Sequence, residues 1–315
     1  MRFFRIVLLV ALLFSGAAIQ AQDITEFEEP PPMPGQLIDV GGYRLHITCM
    51  GEGSPTVILE PGFARFSFNM RALQEALTAE TRVCAYDHAG FDWSDPAPAD
   101  TPRTTQQLSD ELFALLSGTE MDEAYILIAQ SLGGFITRLF AAQHADLVAG
   151  VILLDATPPE FLLSGITAGQ DQGLEALLRS TLAIAQANAW TPQNLFPVLS
   201  LTSDIAPDLR RGFIALAVNP IYIETALAEW GSRLANAQSV IDAGELGDVP
   251  LHVLVAGERL ALASDADSAW VRGQAAQAAL STRSELAFVV GGGHEYYIDR
   301  TDAVLGTLRN LLMGR

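Results

Sequence analysis

Short apolar runs typical of β-strands alternate with amphipathic segments typical of helices along most of the chain. The runs predict eight strands, at residues 36–40, 43–49, 56–60, 82–87, 125–129, 149–155, 251–256 and 285–290. The segments around them predict helices at residues 69–79, 105–117, 132–144, 265–279 and 301–313. Gly41 and Gly42 predict a turn that makes the first two strands an antiparallel hairpin. Because the later strands are joined through helices, the chain is predicted to be an α/β protein with a mostly parallel eight-stranded sheet and helices on both faces.

Residues 157–248 interrupt this alternation after the sixth strand. They contain no convincing strand, and their pattern predicts helices at 172–187, 206–217 and 221–240. The sheet resumes at Val249, so the insertion is tethered at both ends. It is predicted to be a helical cap over the carboxyl edge of the sheet, where open α/β sheets bind ligands. Residues 36–156 and 249–315 then form the core that contains the sheet. The alternative is that residues 157–248 form a separate helical domain.

The first 35 residues differ in composition from the rest. Residues 1–21 resemble an export signal, with Arg2 and Arg5 before an apolar stretch at 6–14 and small residues that allow cleavage after Ala18 or Ala21. A membrane anchor is the alternative, but the apolar stretch is shorter than the roughly 20 residues that a bilayer requires. Residues 22–35 are acidic and proline-rich and predict a lead-in linker. The protein is therefore expected to be exported, to the periplasm or outside the cell.

The charge balance restricts the partners. The chain has 18 basic and 37 acidic residues, a net charge of −19. Removal of residues 1–21 takes away two arginines and no acidic residue, which makes the net charge −21. Nucleic acid is therefore not an expected partner. The sequence leaves a small-molecule substrate as the expected partner, with no membrane span after cleavage, and does not fix the oligomeric state.

Ser131 stands where a predicted strand turns into a predicted helix, in the sequence Ala129-Gln130-Ser131-Leu132-Gly133-Gly134. A nucleophilic serine needs such a turn, because the turn projects the hydroxyl from the sheet edge and small neighbours let the strained backbone pack. The following helix directs its positive N-terminal end at the site. The usual pattern is Gly-x-Ser-x-Gly, and alanine replaces its first glycine here. A plain turn is the alternative, but the flanking strand and helix favour a nucleophile.

His294 is the predicted base, since serine is a poor nucleophile until a base accepts its proton. Three glycines precede it in a loop after the last strand, which can reach across the sheet edge. His46 and His252 lie inside strand patterns, and His144 ends a helix. His88, at the end of the fourth strand, is the remaining rival.

The third member, an acid that orients the imidazole, has several candidates. Asp155 ends the sixth strand at the height of the predicted nucleophile and is preferred. The orienting acid commonly lies a few residues past the seventh strand, but Leu260 occupies that position here. Glu258, Asp265 and Asp267 remain as alternatives.

Acyl transfer also needs donors for the developing oxyanion. Phe63 follows Pro61 and Gly62 at the end of the third strand and offers its backbone N–H; Leu132, just after the nucleophile, offers the other. The sequence His294-Glu295 has Ile298 where a zinc protease needs its second histidine, so that motif fails. No metal or organic cofactor is predicted.

Cys49 and Cys84 are the only cysteines, and neither belongs to a C-x-x-C pair. A thiolate metal site is therefore not expected. Both lie in predicted strands, and in an exported protein they can form a disulfide. Two buried free thiols are the alternative.

Taken in order, these segments resemble the α/β hydrolase superfamily over nearly all of residues 36–315. The resemblance is carried by residues 57–63, 85–94, 126–134, 150–156 and 291–294. In detail they are similar to the esterase and haloalkane-dehalogenase-like branch with a small helical cap, in which the acid can follow the sixth strand, as Asp155 does. A dehalogenase would carry aspartate in place of Ser131. The resemblance also implies a Cys49–Cys84 bridge, because members of this branch often pair cysteines on the second and fourth strands.

The residues and the resemblance together predict hydrolysis of carboxylic esters through an acyl-enzyme. In this prediction His294 takes the proton of Ser131, Asp155 orients the imidazole, and the Phe63 and Leu132 N–H groups hold the oxyanion. Three alternatives stay open: a peptidase or amidase, a carbon–carbon bond hydrolase with the same residues, and a catalytically silent exported binding protein.

Overall fold

A computed structural model of the chain describes residues 32–119, 121, 124–191, 193–195, 198, 213–262 and 264–314. The predicted export signal at 1–21 and most of the predicted linker at 22–35 lie outside the described residues. The same holds for residues 206–212 of the helix predicted at 206–217; residues 213–217 are helical.

Eight strands form a single sheet in the spatial order β1-β2-β4-β3-β5-β6-β7-β8. The strands are β1 (Gln36–Asp39), β2 (Arg44–Met50), β3 (Val57–Glu60), β4 (Val83–Tyr86), β5 (Tyr125–Gln130), β6 (Val148–Leu154), β7 (Leu251–Ala256) and β8 (Ser284–Val289). β2 pairs antiparallel with β1 and β4, and all other neighbours are parallel. The predicted hairpin and mostly parallel sheet are confirmed, and each strand lies within two residues of its predicted bounds.

Helices connect the parallel strands. They are α1 (Arg71–Leu77), α2 (Thr105–Ser117), α3 (Gly133–Gln143), α4 (Pro159–Leu163), α5 (Ala168–Gln186), α6 (Pro220–Asp242), α7 (Glu258–Leu262), α8 (Asp265–Ala278) and α9 (Thr301–Leu312). The helix predicted at 69–79 is instead a 3-10 turn, Ser67–Met70, followed by α1. The pattern missed α4 and α7, since five residues are too few to show a helical period. No helix among the described residues has the length and apolarity that a membrane span requires.

The central strands of the sheet, β3 to β7, are buried on both faces. Neighbouring residues in one strand, such as Ile58 and Leu59, belong to different apolar clusters, because successive side chains point to opposite faces. One cluster joins the sheet to α2 and α3, and the other joins it to α1 and α9. This two-sided burial explains why the central strands are near-continuous apolar runs in the sequence.

The stretch between β6 and β7 contains α4, α5 and α6 and no strand among its described residues. Helix α6 contacts α2, α3, α4 and α5. Aromatic contacts tie the stretch to the loops after β3 and β4: the Phe66 and Phe213 rings lie 5.7 Å apart, and the Phe91 and Tyr222 rings 4.7 Å apart. The division into core and cap at residues 157 and 248 stays a prediction.

Cys49 and Cys84 form a disulfide. They lie directly opposite each other in the antiparallel pairing of β2 with β4. The bridge that the resemblance implied is therefore present. It links two strands that are neighbours in the sheet but are separated by β3 in the chain.

Candidate active site

Ser131 occupies a strained turn between β5 and α3. Its φ is 52°, in the left-handed region that residues other than glycine rarely adopt. Three hydrogen bonds hold this backbone: Ser131 N donates to Leu154 O at 3.4 Å, and Ser131 O accepts from Gly134 N at 3.2 Å and Thr157 N at 2.9 Å. The turn is thus fixed by β6 and the loop after it, which leaves the side chain at the carboxyl edge of the sheet.

The glycines after Ser131 allow α3 to lie against the strand ends. A Cβ added at Gly133 would lie 2.3 Å from Pro61 O, and one at Gly134 would lie 2.7 Å from the Cβ of Ala156. Both contacts are too close for any real Cβ. Ala129, which replaces the first glycine of the usual pattern, is fully buried in the apolar core. The fold therefore accommodates a methyl group at Ala129 and has no room for one at either later position.

Ser131, His294 and Asp155 form a hydrogen-bonded chain. Ser131 Oγ lies 3.1 Å from His294 Nε2, and His294 Nδ1 lies 2.7 Å from Asp155 Oδ2. The loop after β8 carries the histidine across the ends of β7 and β6 to the serine. The structure thus brings together the three residues that the sequence pointed to for nucleophile, base and acid.

Asp155 is fully buried and has further partners on both carboxylate oxygens. Oδ1 accepts from Ala256 N at 3.1 Å and from Trp270 Nε1 at 2.9 Å, while Arg259 Nη2 lies 3.4 Å from Oδ2. Burial raises the pKa of Asp155, but the hydrogen bond and charge of His294, the charge of Arg259 and the Ala256 N–H lower it further, so the pKa lies below its ordinary value. The carboxylate is therefore ionised at neutral pH and can stabilise an imidazolium.

The other acid candidates do not bond to His294, although the Glu258 carboxylate lies beside the neighbouring Gly293. Asp267 bonds to Ser264 and lies 3.4 Å from Arg259, and in the described part of the chain no hydrogen bond joins Glu258, Asp265 or Asp267 to His294. The reason is α7, which begins immediately after β7 and occupies the place where a loop would carry the acid. Leu260 is an exposed residue of that helix.

Phe63 and Leu132 carry the two backbone N–H groups predicted to hold the oxyanion. Neither donates to an intramolecular acceptor within the described ranges. Phe63 follows the end of β3, and Leu132 is the residue before α3, where helix N–H groups lack partners. Both residues line a cavity of about 40 Å³. Two unpaired donors beside Ser131 are suited to an oxyanion.

The cavity has a mixed wall. Apolar side chains of α2 and α3 contribute Leu108, Phe135 and Ile136. Polar side chains come mainly from α6, which contributes Glu229, Arg233 and Asn236. Sequence reasoning missed this α6 contribution, because the pattern predicts the helix but not which of its faces lines the cavity.

His88, the rival base, is held in a different cluster. Its Nε2 lies 2.9 Å from Glu60 Oε1 and its Nδ1 lies 3.1 Å from Glu229 Oε1. Burial alone would lower the pKa of His88, but the carboxylates of Glu229 and Glu60 raise it to about 10. With both ring nitrogens engaged and the ring charged, His88 cannot accept a proton from Ser131.

Several aromatic residues of the loops after β3 and β4 pack on rings from the stretch between β6 and β7. The Phe63 and Trp230 rings are 4.9 Å apart, and the Trp93 and Phe213 rings 5.6 Å apart. Trp270, which the sequence did not single out, lies edge-on to the His294 ring at 5.7 Å. It therefore contacts both the imidazole and the carboxylate that orients it.

A family model described as the α/β hydrolase fold matches residues 55–191. The chain has the α/β hydrolase fold. The resemblance seen in its motifs is thereby confirmed at the level of the superfamily. The same fold is found in solved structures that align over nearly their whole length.

Two such structures are a thermophilic esterase from Thermogutta terrifontis and epoxide hydrolase I from potato, Solanum tuberosum. The esterase has 21% sequence identity and a TM-score of 0.61, with 89% of this chain and 98% of that chain covered. The potato enzyme has 16% identity and a TM-score of 0.68, with 89% and 99% covered. At these identities the likeness establishes the fold and leaves the activity to the site.

Curated relatives match a shorter region. An uncharacterised protein of Schizosaccharomyces pombe is 28% identical over 153 residues, which cover 39% of this chain and 28% of that protein. The chain spans from about a fifth to under half of the length of the curated relatives it matches.

Proposed function

We propose that this α/β hydrolase is a serine hydrolase that cleaves carboxylic esters through an acyl-enzyme. The observation that carries the proposal is the chain of contacts from Ser131 Oγ to His294 Nε2, at 3.1 Å, and from His294 Nδ1 to Asp155 Oδ2, at 2.7 Å. A nucleophile, a base and a buried, ionised orienting acid in this order are the elements of the serine triad.

In the first half-reaction, Ser131 Oγ attacks the ester carbonyl carbon while His294 Nε2 accepts the hydroxyl proton. The carbonyl oxygen becomes an oxyanion, and the backbone N–H groups of Phe63 and Leu132 stabilise it. The bond from the carbonyl carbon to the alkoxy oxygen then breaks, and His294 returns its proton to the leaving alcohol. Asp155 stabilises the imidazolium that exists between these two transfers.

In the second half-reaction, water attacks the acyl group on Ser131 while His294 accepts a proton from that water. Collapse of the second oxyanion releases the carboxylic acid, and His294 returns the proton to Ser131 Oγ. The chemistry needs no group beyond the named side chains, the two backbone donors and water. Esters are the substrates proposed first, because an alkoxide is a better leaving group than an amide anion or a carbanion.

A fluorophosphonate probe tests the nucleophile directly. Wild-type protein should be labelled, and Ser131→Ala should not. Ser239→Ala is the matched control, since Ser239 lies exposed on α6 and bonds only within that helix. Undiminished labelling of the Ser131→Ala variant would contradict the assignment.

A substrate panel tests the scissile bond. p-Nitrophenyl esters from acetate to octanoate should be hydrolysed, and their relative rates measure the preferred acyl length. Aminoacyl p-nitroanilides should be hydrolysed much more slowly. The opposite ranking of esters and anilides would favour a peptidase or amidase, and a folded chain that neither reacts with the probe nor turns over any substrate would favour a binding protein.

We also propose that the protein is exported. This rests on the sequence of residues 1–21, which lie outside the described residues. N-terminal sequencing of the full chain expressed in a bacterium should find the mature protein beginning at Ile19 or Gln22. An intact N-terminus in the cytoplasmic fraction would contradict export.

A further inference from the structure

Gln130, the residue before the proposed nucleophile, contacts the proposed base directly. Its amide Nε2 lies 3.2 Å from His294 Nε2 and 3.4 Å from the backbone oxygen of the same histidine. The side chain is almost fully buried at the end of β5. His294 Nε2 therefore has two neighbours, the hydroxyl of Ser131 and the amide of Gln130.

The backbone carbonyl decides which way the Gln130 amide points. A carbonyl oxygen can only accept, so the group that faces His294 O must be the NH₂ of the amide. The second N–H of that group then faces His294 Nε2, which must be the unprotonated nitrogen of the ring. The ring proton consequently lies on Nδ1, where it is donated to Asp155 Oδ2 at 2.7 Å. This is the tautomer that a base for Ser131 requires.

The loop after β3 leaves room for this arrangement. A Cβ added at Gly62 would lie 2.1 Å from Gln130 Oε1, so the amide oxygen occupies the space that a side chain at that position would take. With its oxygen against Gly62, the amide presents its nitrogen to the histidine. The glycine that precedes the oxyanion donor Phe63 thus also permits the contact between Gln130 and His294.

We propose that Gln130 is a positioning residue that holds the His294 ring in its neutral tautomer and disfavours protonation of Nε2. A protonated Nε2 would present an N–H to the amide N–H groups, which sets donor against donor and removes one hydrogen bond. The proton taken from Ser131 is therefore passed on readily to the leaving alcohol. This inference rests on the proposed function, in which His294 is the base.

Gln130 has a second consequence in the acyl-enzyme. Once Ser131 Oγ is acylated it no longer carries a proton, and its hydrogen bond to His294 Nε2 is lost. The Gln130 amide then still holds the Nε2 side of the ring, while Asp155 holds Nδ1. Deacylation should depend on Gln130 more strongly than acylation does.

The pH dependence of kcat/KM tests the proposal. Gln130→Met keeps the length of the side chain and removes both donors, so the acid limb should move up by about 0.5–1 pH unit, the equivalent of one hydrogen bond to the neutral ring. Gln130→Glu should move it up further, because a carboxylate favours the imidazolium. Gln143→Met is the matched control, since Gln143 ends α3 and bonds to Gln106, away from the site; its profile should match the wild type.

An NMR titration of the imidazole separates this inference from the proposed function. The pKa of His294, read from its ring carbon and assigned with His294→Asn, should rise in Gln130→Met whether or not the protein hydrolyses any ester. Gln130→Leu serves as a second donor-free variant if the methionine variant does not fold. An unchanged pKa of His294 in a folded donor-free variant overturns the inference, whereas inactive wild-type protein with the expected shift overturns only the proposed function.

Discussion

Two residues of the site have left-handed backbone conformations, Ser131 with φ of 52° and Asp155 with φ of 42°. Each is the first residue after a central parallel strand, β5 or β6. A conformation of this kind costs on the order of 1–3 kcal/mol for a residue other than glycine. Backbone hydrogen bonds hold both, including Asp155 N to Leu254 O at 2.7 Å. The strain places two side chains at one edge of the sheet, within reach of a single imidazole.

Asp155→Asn should lower kcat by about four orders of magnitude, as substitutions that favour the wrong histidine tautomer do. The amide NH₂ of asparagine would face the ring proton on Nδ1 and force the proton onto Nε2. Glu258→Gln is the control, because the same acid-to-amide change is made at a nearby acid candidate that has no hydrogen bond to the ring among the described residues. Steady-state kinetics with a p-nitrophenyl ester measure kcat of both variants. Near-normal turnover of Asp155→Asn would mean that another residue orients His294.

Gly134→Ala should destabilise the protein by about 1–3 kcal/mol, the usual cost of overpacking. The new Cβ would lie 2.7 Å from the Cβ of Ala156. Adding Ala156→Gly should recover part of the loss, since it removes the opposing methyl group. Gly173→Ala, where nothing lies within 4 Å, is the control and should be neutral or slightly stabilising. Urea unfolding measures all three, and additive losses in the double variant would exclude a clash.

At the scale of elements, β1 and β2 form the antiparallel end of the sheet, and β2 is joined to β4 by a disulfide as well as by backbone pairing. The bridge spans a sequence separation of 35 residues. That stretch contains β3, α1 and Phe63, one of the two proposed oxyanion donors. A covalent link between the two strands restricts this part of the chain in the unfolded state.

The double variant Cys49→Ala/Cys84→Ala should lower the free energy of unfolding by about 3–4 kcal/mol, as expected for a closed loop of this length. Its kcat on a p-nitrophenyl ester should stay close to the wild-type value at temperatures where it is folded, because neither cysteine lines the site. Guanidinium unfolding measures the change. An unaltered free energy of unfolding would mean that the bridge does not restrict the unfolded chain.

Short elements show where a periodic pattern stops being informative. The long helices α2, α3 and α8 lie within one residue of their predicted bounds. Helices α4 and α7 were missed, since each has five residues and shows less than two turns of periodicity. The error at α7 matters for the site, because that helix occupies the usual position of the acid and donates Arg259 to Asp155.

At the scale of the whole molecule, a buried charge cluster joins α6 to the core. His88 lies between Glu60 of β3 and Glu229 of α6, and Arg103 binds Glu111 at 2.5 Å and approaches Glu229 at 3.7 Å. Helix α6 also supplies part of the cavity wall. The cluster therefore links the position of that wall to the strand ends that carry the site.

Stability should fall as the pH rises from about 6.5 to 10. The pKa of His88 is raised from 6.5 to about 10 in the folded chain, so the folded state holds this proton more tightly than the unfolded state. The stabilisation is complete below pH 6.5 and is lost as the pH rises through 10. The chain contains no lysine, so few other side chains titrate in this window. Urea unfolding at pH 7 and pH 10 measures the fall, which His88→Gln should reduce; an equal fall in that variant would exclude His88 as its source.

The sequence by itself determined the strands, the long helices and the turn at Ser131. These features are local. A buried strand is indicated by a run of consecutive apolar residues, and the turn is indicated by small residues between a predicted strand and a predicted helix. The same local information placed Asp155 and Phe63 at strand ends, and the carboxyl ends of parallel strands meet at one edge of a sheet.

Only the tertiary structure decided which groups meet. It brought His294 to Ser131, 163 residues away in the chain, and placed the Gln130 amide beside the same ring. It also placed Asp155 within hydrogen-bond distance of His294 Nδ1, whereas Glu258 became part of α7. It also turned one face of α6 toward the cavity. Contacts of this kind depend on how separate elements pack, and a pattern along one segment does not contain the position of another.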